Sequence, residues 1–142
     1  MIDNESIITR LDKLNDYTGY LKINQNISLD KLKEDYALQG IICRYFQLAI
    51  ECIIDIAELL ISSLKLRKPK DGQEAIEVLG EKKVIPVEFA KKLAGVSGFR
   101  NVLVHEYLAI DYNKVYTHLQ NDLEGFDLYA KSISRFLQSQ QK

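Results

Sequence analysis

The fold class follows from one stretch in the first half of the chain, IICRYFQLAIECIIDIAELL at residues 41–60. Its apolar side chains occupy most of a helical circumference, which is more than one neighbouring helix can cover. The stretch contains neither proline nor glycine, so nothing in it interrupts a helix. We predict a long helix over residues 29–64 that lies at the centre of a bundle or is also covered by a second subunit.

Further helices are expected from the rest of the chain. Apolar residues recur every three or four positions in three long segments. Asp71 with Glu74 has the pattern of a capping box that opens a short helix. The predicted segments are residues 4–22, 71–80, 87–107 and 112–138. The sequence therefore predicts an all-α bundle of four long helices and one short helix, in a single domain over residues 1–142.

The charge balance limits the expected partners. The chain has 142 residues, with 19 Lys and Arg against 20 Asp and Glu and a formal net charge of −1. This balance gives no overall attraction to nucleic acid or to an anionic membrane, so any phosphate binding must be local. The first residues lack the features of a secretory signal, and charges interrupt every apolar run before it could span a bilayer. We expect a cytoplasmic protein without membrane contact.

The two cysteines indicate neither a disulfide nor a metal site. Cys43 and Cys52 lie on the same predicted helix, which separates them by about 13 Å, whereas a disulfide requires Cα atoms within about 7 Å. No second cluster of Cys and His accompanies them, so we expect buried thiols and predict no metal or other cofactor. His118 falls in a plain amphipathic segment and is expected at the surface.

A polar stripe is the exception to the apolar character of the predicted helix over residues 29–64. Its members fall within a sector of about 80° on one face. They are Arg44, Gln47, Glu51, Asp55 and Glu58. Two interpretations remain open: the face is solvated, or part of it, such as Glu51 and Asp55, lines a polar cleft.

Chemically versatile side chains are concentrated in GFRNVLVHEY, at residues 98–107. On an unbroken helix Tyr107 lies about 20° from Arg100, whereas His105 lies about 140° from it. His105 is four residues from Asn101, close enough for their side chains to pair. For Arg100 and His105 to reach one phosphate, the helix must distort or end here, the arginine must wrap round it, or two subunits must each contribute.

The segment from Arg100 to Tyr107 has the form R-x4-H-x-Y, and the chain resembles the HepT-like toxins of the HEPN superfamily in this motif. Further segments look like that family at matching positions: residues 44–58, 99–107, 110–111 and 115–116. The resemblance covers roughly residues 38–136 and shows no departure at the motif.

The resemblance implies a helical bundle that forms a homodimer, with the motif residues of both subunits facing a cleft at the interface. It also implies a toxin that cleaves RNA without a metal ion. The implied partner is a small nucleotidyltransferase antitoxin of the MNT type. That partner transfers AMP onto the motif tyrosine, here Tyr107, and so blocks activity.

The residue types suit this chemistry. His105 can move a proton between the ribose 2′-OH and the leaving 5′-oxygen, which gives a 2′,3′-cyclic phosphate. Arg100 offers a fixed charge and a bidentate fork to the doubly negative transition state. Asn101 can orient the imidazole, and AMP on Tyr107 adds negative charge and bulk. The hypothesis therefore names Arg100 and His105 as catalytic, Asn101 as supporting and Tyr107 as the AMP acceptor.

Two other functions remain open. The chain could be a non-catalytic helical dimer that binds a nucleotidyltransferase and accepts AMP on Tyr107. It could also be a purely structural bundle, in which case the motif is a coincidence. Metal-free RNA cleavage that depends on His105 separates the first hypothesis from both.

Overall fold

The computed structural model describes residues 3–141, and within this range the chain is helical and contains no strand. The helices in chain order are α1 Asn4–Ile23, α2 Leu29–Glu34, α3 Tyr36–Ser63, α4 Gly72–Glu81, α5 Val87–Leu93, α6 Val96–His105, α7 Tyr112–Asn121 and α8 Leu123–Ser139. A 3-10 turn, Tyr107–Ala109, lies between α6 and α7. The predicted all-α class is confirmed.

Helices α1 and α4 lie within one or two residues of their predicted bounds. At the start of α4 the carboxylate of Asp71 accepts a hydrogen bond from the backbone N–H of Glu74 at 2.8 Å. This is the N-terminal cap that the spacing of these two residues predicts.

The long helix predicted over residues 29–64 is divided at Asp35. The backbone of Asp35 is extended, with φ −108° and ψ 100°, and this conformation ends α2. Its carboxylate accepts a hydrogen bond from the N–H of Leu38 at 3.0 Å and so caps α3. The aspartate thus offers the backbone a local alternative to continuing the helix.

The other two long predicted helices are divided as well. The segment predicted over residues 87–107 forms α5 and α6, and α6 ends at His105 because Glu106 leaves the helical region at φ −123° and ψ 36°. The segment predicted over residues 112–138 is divided at Asp122, between α7 and α8. The carboxylate of Asp122 does not cap α8 and instead bonds to the imidazole of His118.

Helix α3 is the central helix, as the apolar stretch predicts. It packs against α1, α4 and α6, while α1 also packs against α8. The side chains buried along α3 include Ile42, Phe46, Ala49, Ile50, Ile53, Ile54, Ile56, Ala57, Leu60 and Ile61. No helix within residues 3–141 is both long and apolar enough to cross a membrane.

Aromatic side chains attach α6 and α8 to α3. The ring of Phe46 on α3 makes edge-to-face contacts with Phe99 on α6 and Phe126 on α8, at centroid distances of 5.2 and 6.1 Å. The buried hydroxyl of Tyr129 on α8 donates a hydrogen bond to the carbonyl oxygen of Ile53 at 2.8 Å. These contacts fix α6 against α3 and so determine which side of α6 remains exposed.

Candidate functional site

Helix α6 carries the motif on a rigid support. Phe99 and Leu103 are buried, with 8% and 7% of their surface exposed, and they hold one side of the helix in the core. Asn101 and His105 are exposed on the remainder, and Arg100 is half-buried between the two sides. The buried apolar residues of α6 therefore keep the helix in place, and the polar side chains of the motif project from it.

Arg100 extends toward α3. Its Nη1 lies 3.9 Å from Oε1 of Glu51, and the two side chains are 27% and 35% exposed. Gln47, one turn before Glu51, donates a hydrogen bond from Nε2 to the same carboxylate oxygen at 3.2 Å. The Nε of Arg100 is buried and has no hydrogen-bond partner within the described residues. An unpaired buried donor on a charged group is costly, which makes this guanidinium a candidate for binding an anion.

The polar stripe of α3 is thus divided between two environments. Glu51 and Gln47 line the Arg100 site, as one of the two interpretations of the stripe proposes. Asp55 does not, because its carboxylate pairs with Nε of Arg10 on α1 at 3.6 Å. The stripe is therefore partly a solvated face and partly the wall of a polar site.

His105 is the last residue of α6. The helix therefore ends two residues before the predicted Tyr107, which is too late to bring His105 to the Arg100 side. Since α6 is continuous from Val96 to His105, the two side chains leave it about 140° apart. Arg100 extends toward Glu51, so within one chain the imidazole of His105 and the guanidinium of Arg100 lie on different sides of the helix.

Asn101 is exposed beside His105. In the part of the chain that the structure describes, its side chain makes no hydrogen bond to the imidazole. Its supporting role stays a prediction.

Tyr107 corrects one expectation from the spacing. Because α6 ends at His105, the tyrosine is not on a continuation of the Arg100 face but in the 3-10 turn that follows. The turn is closed by a hydrogen bond from the N–H of Ala109 to the carbonyl oxygen of Glu106 at 2.9 Å. Tyr107 is 67% exposed and Leu108 is 90% exposed, so the phenol is accessible to a second protein.

A cavity of about 370 Å³ lies between α6, the 3-10 turn and α7, and we call it the α6–α7 cavity. Its lining includes Phe99, Val102, Glu106, Lys114, Val115 and His118. It lies beside the motif but on the side of α6 away from Glu51. No pattern in the sequence indicates this cavity, because it depends on how α6 and α7 pack.

His118 is only partly at the surface. Its side chain is 30% exposed, and Nδ1 lies 2.6 Å from a carboxylate oxygen of Asp122. The imidazole stacks on the ring of Phe99, with centroids 3.9 Å apart and an angle of 10° between the planes. The spacing of four residues between His118 and Asp122 is the signal that could have indicated the pair. The stacking on Phe99 has no signal in the local sequence.

The family model described as Ribonuclease HepT-like matches residues 7–133 of the chain. This chain belongs to the HepT-like ribonuclease family. The match includes the whole R-x4-H-x-Y motif and confirms the resemblance that the motif and its flanking segments indicate.

Curated relatives agree with membership of the HepT-like family. The chain is 38% identical over 131 residues to the tRNA nuclease HepT of Aphanizomenon flos-aquae (strain 2012/KM1/D3), covering 92% of this chain and 89% of that protein. It is 26% identical over 103 residues to the mRNA nuclease HepT of Shewanella oneidensis, covering 72% of this chain and 77% of that protein.

Solved structures show the same fold. The cytosolic protein of unknown function YutE from Bacillus subtilis superposes with a TM-score of 0.86 at 19% identity, over 98% of this chain and 93% of that one. The tri-AMPylated Shewanella oneidensis HEPN toxin, solved in complex with MNT antitoxin, superposes with a TM-score of 0.83 at 23% identity, over 95% of this chain and 99% of that one.

The functional groups of this HepT-like chain do not cluster as metal ligands. Among residues 3–141, no three His, Cys, Asp or Glu side chains lie close enough together to hold a metal ion. The groups that the motif itself presents are a guanidinium, an amide, an imidazole and a phenol. These groups can bind a phosphate and transfer a proton.

Proposed function

We propose that this HepT-like chain, a single domain over residues 1–142, is the toxin of a toxin–antitoxin pair and cleaves RNA without a metal ion. In this proposal it acts as a homodimer in the cytoplasm, and an MNT-type nucleotidyltransferase antitoxin inactivates it by transferring AMP onto Tyr107. The observation that carries the proposal is that α6 exposes His105 and holds the guanidinium of Arg100 partly exposed and incompletely paired. Family membership and the 38% identity to a tRNA nuclease support RNA as the substrate.

The reaction that these side chains suit is an internal transfer of the phosphodiester. His105 accepts the proton of the ribose 2′-OH, the 2′-oxygen forms a bond to phosphorus, and the bond from phosphorus to the 5′-oxygen breaks. A proton from His105 passes to that leaving oxygen. The products are a 2′,3′-cyclic phosphate and a 5′-OH, so no water is consumed.

Arg100 stabilises the charge that develops on the phosphoryl oxygens. A guanidinium can donate two parallel hydrogen bonds to such a group, which Lys cannot do. Glu51 is proposed as a positioning residue, because its carboxylate keeps the guanidinium near α3 and is itself bonded to Gln47.

In a two-fold dimer, Arg100 of one subunit and His105 of the other can lie close together. Within one chain Arg100 and His105 leave α6 in different directions, so we place the imidazole of one subunit beside the guanidinium of the other. A two-fold dimer creates two such sites, because a contact between one residue and a different residue of the partner occurs twice, once on each side of the axis. The exposed apolar side chain of Leu108, next to the motif, supports a covered surface in this region.

Adenylylation of Tyr107 fits its position on an exposed turn. The phenol oxygen attacks the α-phosphorus of ATP, a bond from oxygen to phosphorus forms, and pyrophosphate leaves while the phenol proton is released. The resulting diester adds a negative charge close to the RNA site, which repels the substrate. Among the similar solved structures, one is a tri-AMPylated toxin with its MNT antitoxin and another is a toxin–antitoxin complex with AMP-PNP.

The test is RNA cleavage by purified, unmodified protein in EDTA. We expect the wild-type protein to cleave labelled RNA and His105→Ala to be inactive. Asn121→Ala is the matched control, because Asn121 is the exposed last residue of α7 as His105 is of α6. A His105→Ala protein that is folded by circular dichroism and cleaves at the wild-type rate would refute the catalytic role.

The second candidate function is a non-catalytic acceptor of AMP. The 67% exposure of Tyr107 favours it as much as it favours the toxin. Intact mass after co-expression with an MNT-type nucleotidyltransferase tests the acceptor role, and Tyr107→Phe is expected to abolish the added mass. Protein that gains AMP but never cleaves RNA when unmodified would establish the second candidate instead of the first.

A further inference from the structure

We infer that the α6–α7 cavity receives the adenosine of an AMP group attached to Tyr107 of the same chain. The inference rests on the proposed adenylylation and extends it, because it says where the added nucleotide lies. It also says how the nucleotide acts on the catalytic histidine.

The cavity is adjacent to the modified residue. Glu106 and Ala109, which enclose Tyr107 and Leu108 in the sequence, both line it. Its volume of about 370 Å³ lies within the range of about 300–1,000 Å³ that is usual for small-ligand pockets. A nucleotide tethered through the phenol oxygen therefore finds a site of suitable size beside its point of attachment, and the tether raises its effective concentration there.

The lining suits a purine nucleotide. Apolar surface, mainly from the partly exposed Val102, can contact the flat face of a base, with Phe99 and Val115 buried behind it. Lys114 lines the cavity, and within residues 3–141 its ammonium makes no salt bridge. It is therefore available to the phosphate of the diester. The carboxylate of Glu106 can accept hydrogen bonds from ribose hydroxyls.

The imidazole of His118 adds a polar group of fixed orientation. Asp122 bonds to its Nδ1, and its ring lies flat on Phe99. Nε2 is the nitrogen that this arrangement leaves for a ligand. A polar group held by two contacts of the fold itself is preorganised for binding.

The cavity extends to the backbone of α6 at Gly98. A Cβ built on Gly98 would meet no atom within 4 Å, and Gly98 is a lining residue. His105 follows seven residues later and lies about 20° from it around the helix. An adenosine held here therefore covers the side of α6 from which His105 projects, which gives a steric route to inactivation besides the repulsion of RNA.

The test compares modified and unmodified protein, purified free of the nucleotidyltransferase, by hydrogen–deuterium exchange. Intact mass first counts the AMP groups. We expect modification of the wild-type protein to slow amide exchange in α7 by at least about tenfold, because the docked nucleotide holds α7 against α6. Gly98→Leu adds a side chain at the cavity wall, where its Cβ meets no atom within 4 Å, and we expect it to gain the same mass but no added protection.

Two further variants keep the test decisive. Gly19→Leu is the matched control, since a Cβ at Gly19 also meets no atom within 4 Å but lies on α1, far along the chain from the cavity. We expect it to be protected like the wild type. Lys114→Met removes the cation without filling space and is expected to reduce the protection.

The outcomes separate this inference from the proposed function. Full AMP mass with unchanged exchange in wild-type α7, or equal protection in Gly98→Leu, overturns the docking and leaves the adenylylation intact. No added mass in the wild-type protein overturns both.

Discussion

Helices α6 and α8 both place a polar side chain against α3. The one on α8 has a hydrogen-bond partner there, whereas the one on α6 is incompletely paired. On α8 the hydroxyl of Tyr129 is fully buried and donates to the carbonyl oxygen of Ile53 at 2.8 Å. On α6 the buried Nε of Arg100 has no partner within the described residues, and its Nη1 is 3.9 Å from Glu51. The hydroxyl of Tyr129 is thus satisfied within the fold, whereas the guanidinium of Arg100 is not. Under the proposed function, the group with incomplete pairing is the one that binds the substrate phosphate.

Among the residues compared here, replacing Arg100 should have the largest effect on RNA cleavage. Arg100→Ala should lower kcat/KM for RNA cleavage by about 10²–10³-fold, the usual loss when a donor to a developing oxyanion is removed. The thermal midpoint should hardly change, because the guanidinium has few hydrogen bonds to lose. Arg100→Lys keeps the charge but not the fork and should recover only part of the activity. Full activity in either variant would mean that Arg100 does not contact the reacting phosphate.

Replacing Glu51, whose carboxylate lies beside Arg100, should lower the rate of RNA cleavage by less. Glu51→Gln retains an oxygen that can accept from Gln47 but removes the negative charge, so it tests the charge alone. We expect a loss of a few-fold in kcat, since a partly exposed ion pair contributes about 0.2–1 kcal/mol. Steady-state kinetics on the same RNA measures it, and Asp55→Asn on the same stripe is the control. Equal losses in both variants would contradict a specific role for Glu51.

Tyr129 on α8, whose hydroxyl has a hydrogen-bond partner, should affect stability but not RNA cleavage. Tyr129→Phe removes the hydrogen bond to Ile53 and is expected to lower the free energy of unfolding by about 1 kcal/mol. RNA cleavage should be unchanged at a temperature where the variant is folded. Urea unfolding measures the stability, and a loss of cleavage without a loss of stability would show that α8 is coupled to the site.

The two thiols of α3 should have the smallest effect, because they influence folding stability only above neutral pH. Burial raises the pKa of both Cys43 and Cys52 to about 11, from an ordinary value of 9.0. Between these two values the unfolded chain loses thiol protons that the folded chain keeps, so stability falls as the pH rises. Urea midpoints should be flat from about pH 7 to 9 and then decrease toward about pH 11 in the wild type.

A double Cys43→Ala, Cys52→Ala variant is the control for the thiols. It should lose part of this decrease and keep the part due to Tyr129, whose pKa burial also raises. An identical decrease in both proteins would show that the thiols do not contribute.

The fold could be predicted from the sequence because its signals are local. The apolar repeat of α3 indicates a central helix, and the spacing of Asp71 and Glu74 indicates the start of α4. The breaks at Asp35 and Asp122 could not be predicted, because an aspartate that ends one helix looks the same in sequence as a solvated aspartate within it. At Asp35 the choice depends on the hydrogen bond from the N–H of Leu38, which forms only in the folded chain, whereas the carboxylate of Asp122 caps nothing and bonds to His118.

The residues of the candidate site could be proposed from the sequence, but their contacts with one another could not. The motif provides Arg100 and His105, and the polar stripe provides Glu51 as one of several alternatives. Its contact with Arg100 depends on the packing of α6 against α3, and the pairing of Asp55 with Arg10 depends on α1. The placement of His118 on Phe99 depends likewise on α7 meeting α6. Such contacts between distant segments leave no pattern in a single sequence.

The central claim is that Arg100 of one subunit and His105 of the other form each RNA site. Mixing inactive Arg100→Ala and inactive His105→Ala dimers under conditions that allow subunit exchange tests it directly. Half of the dimers are then mixed, and each contains one site with both side chains, so cleavage should return to about a quarter of the wild-type rate. A mixture that stays as inactive as its two components after exchange, verified by native mass spectrometry, would contradict the shared site.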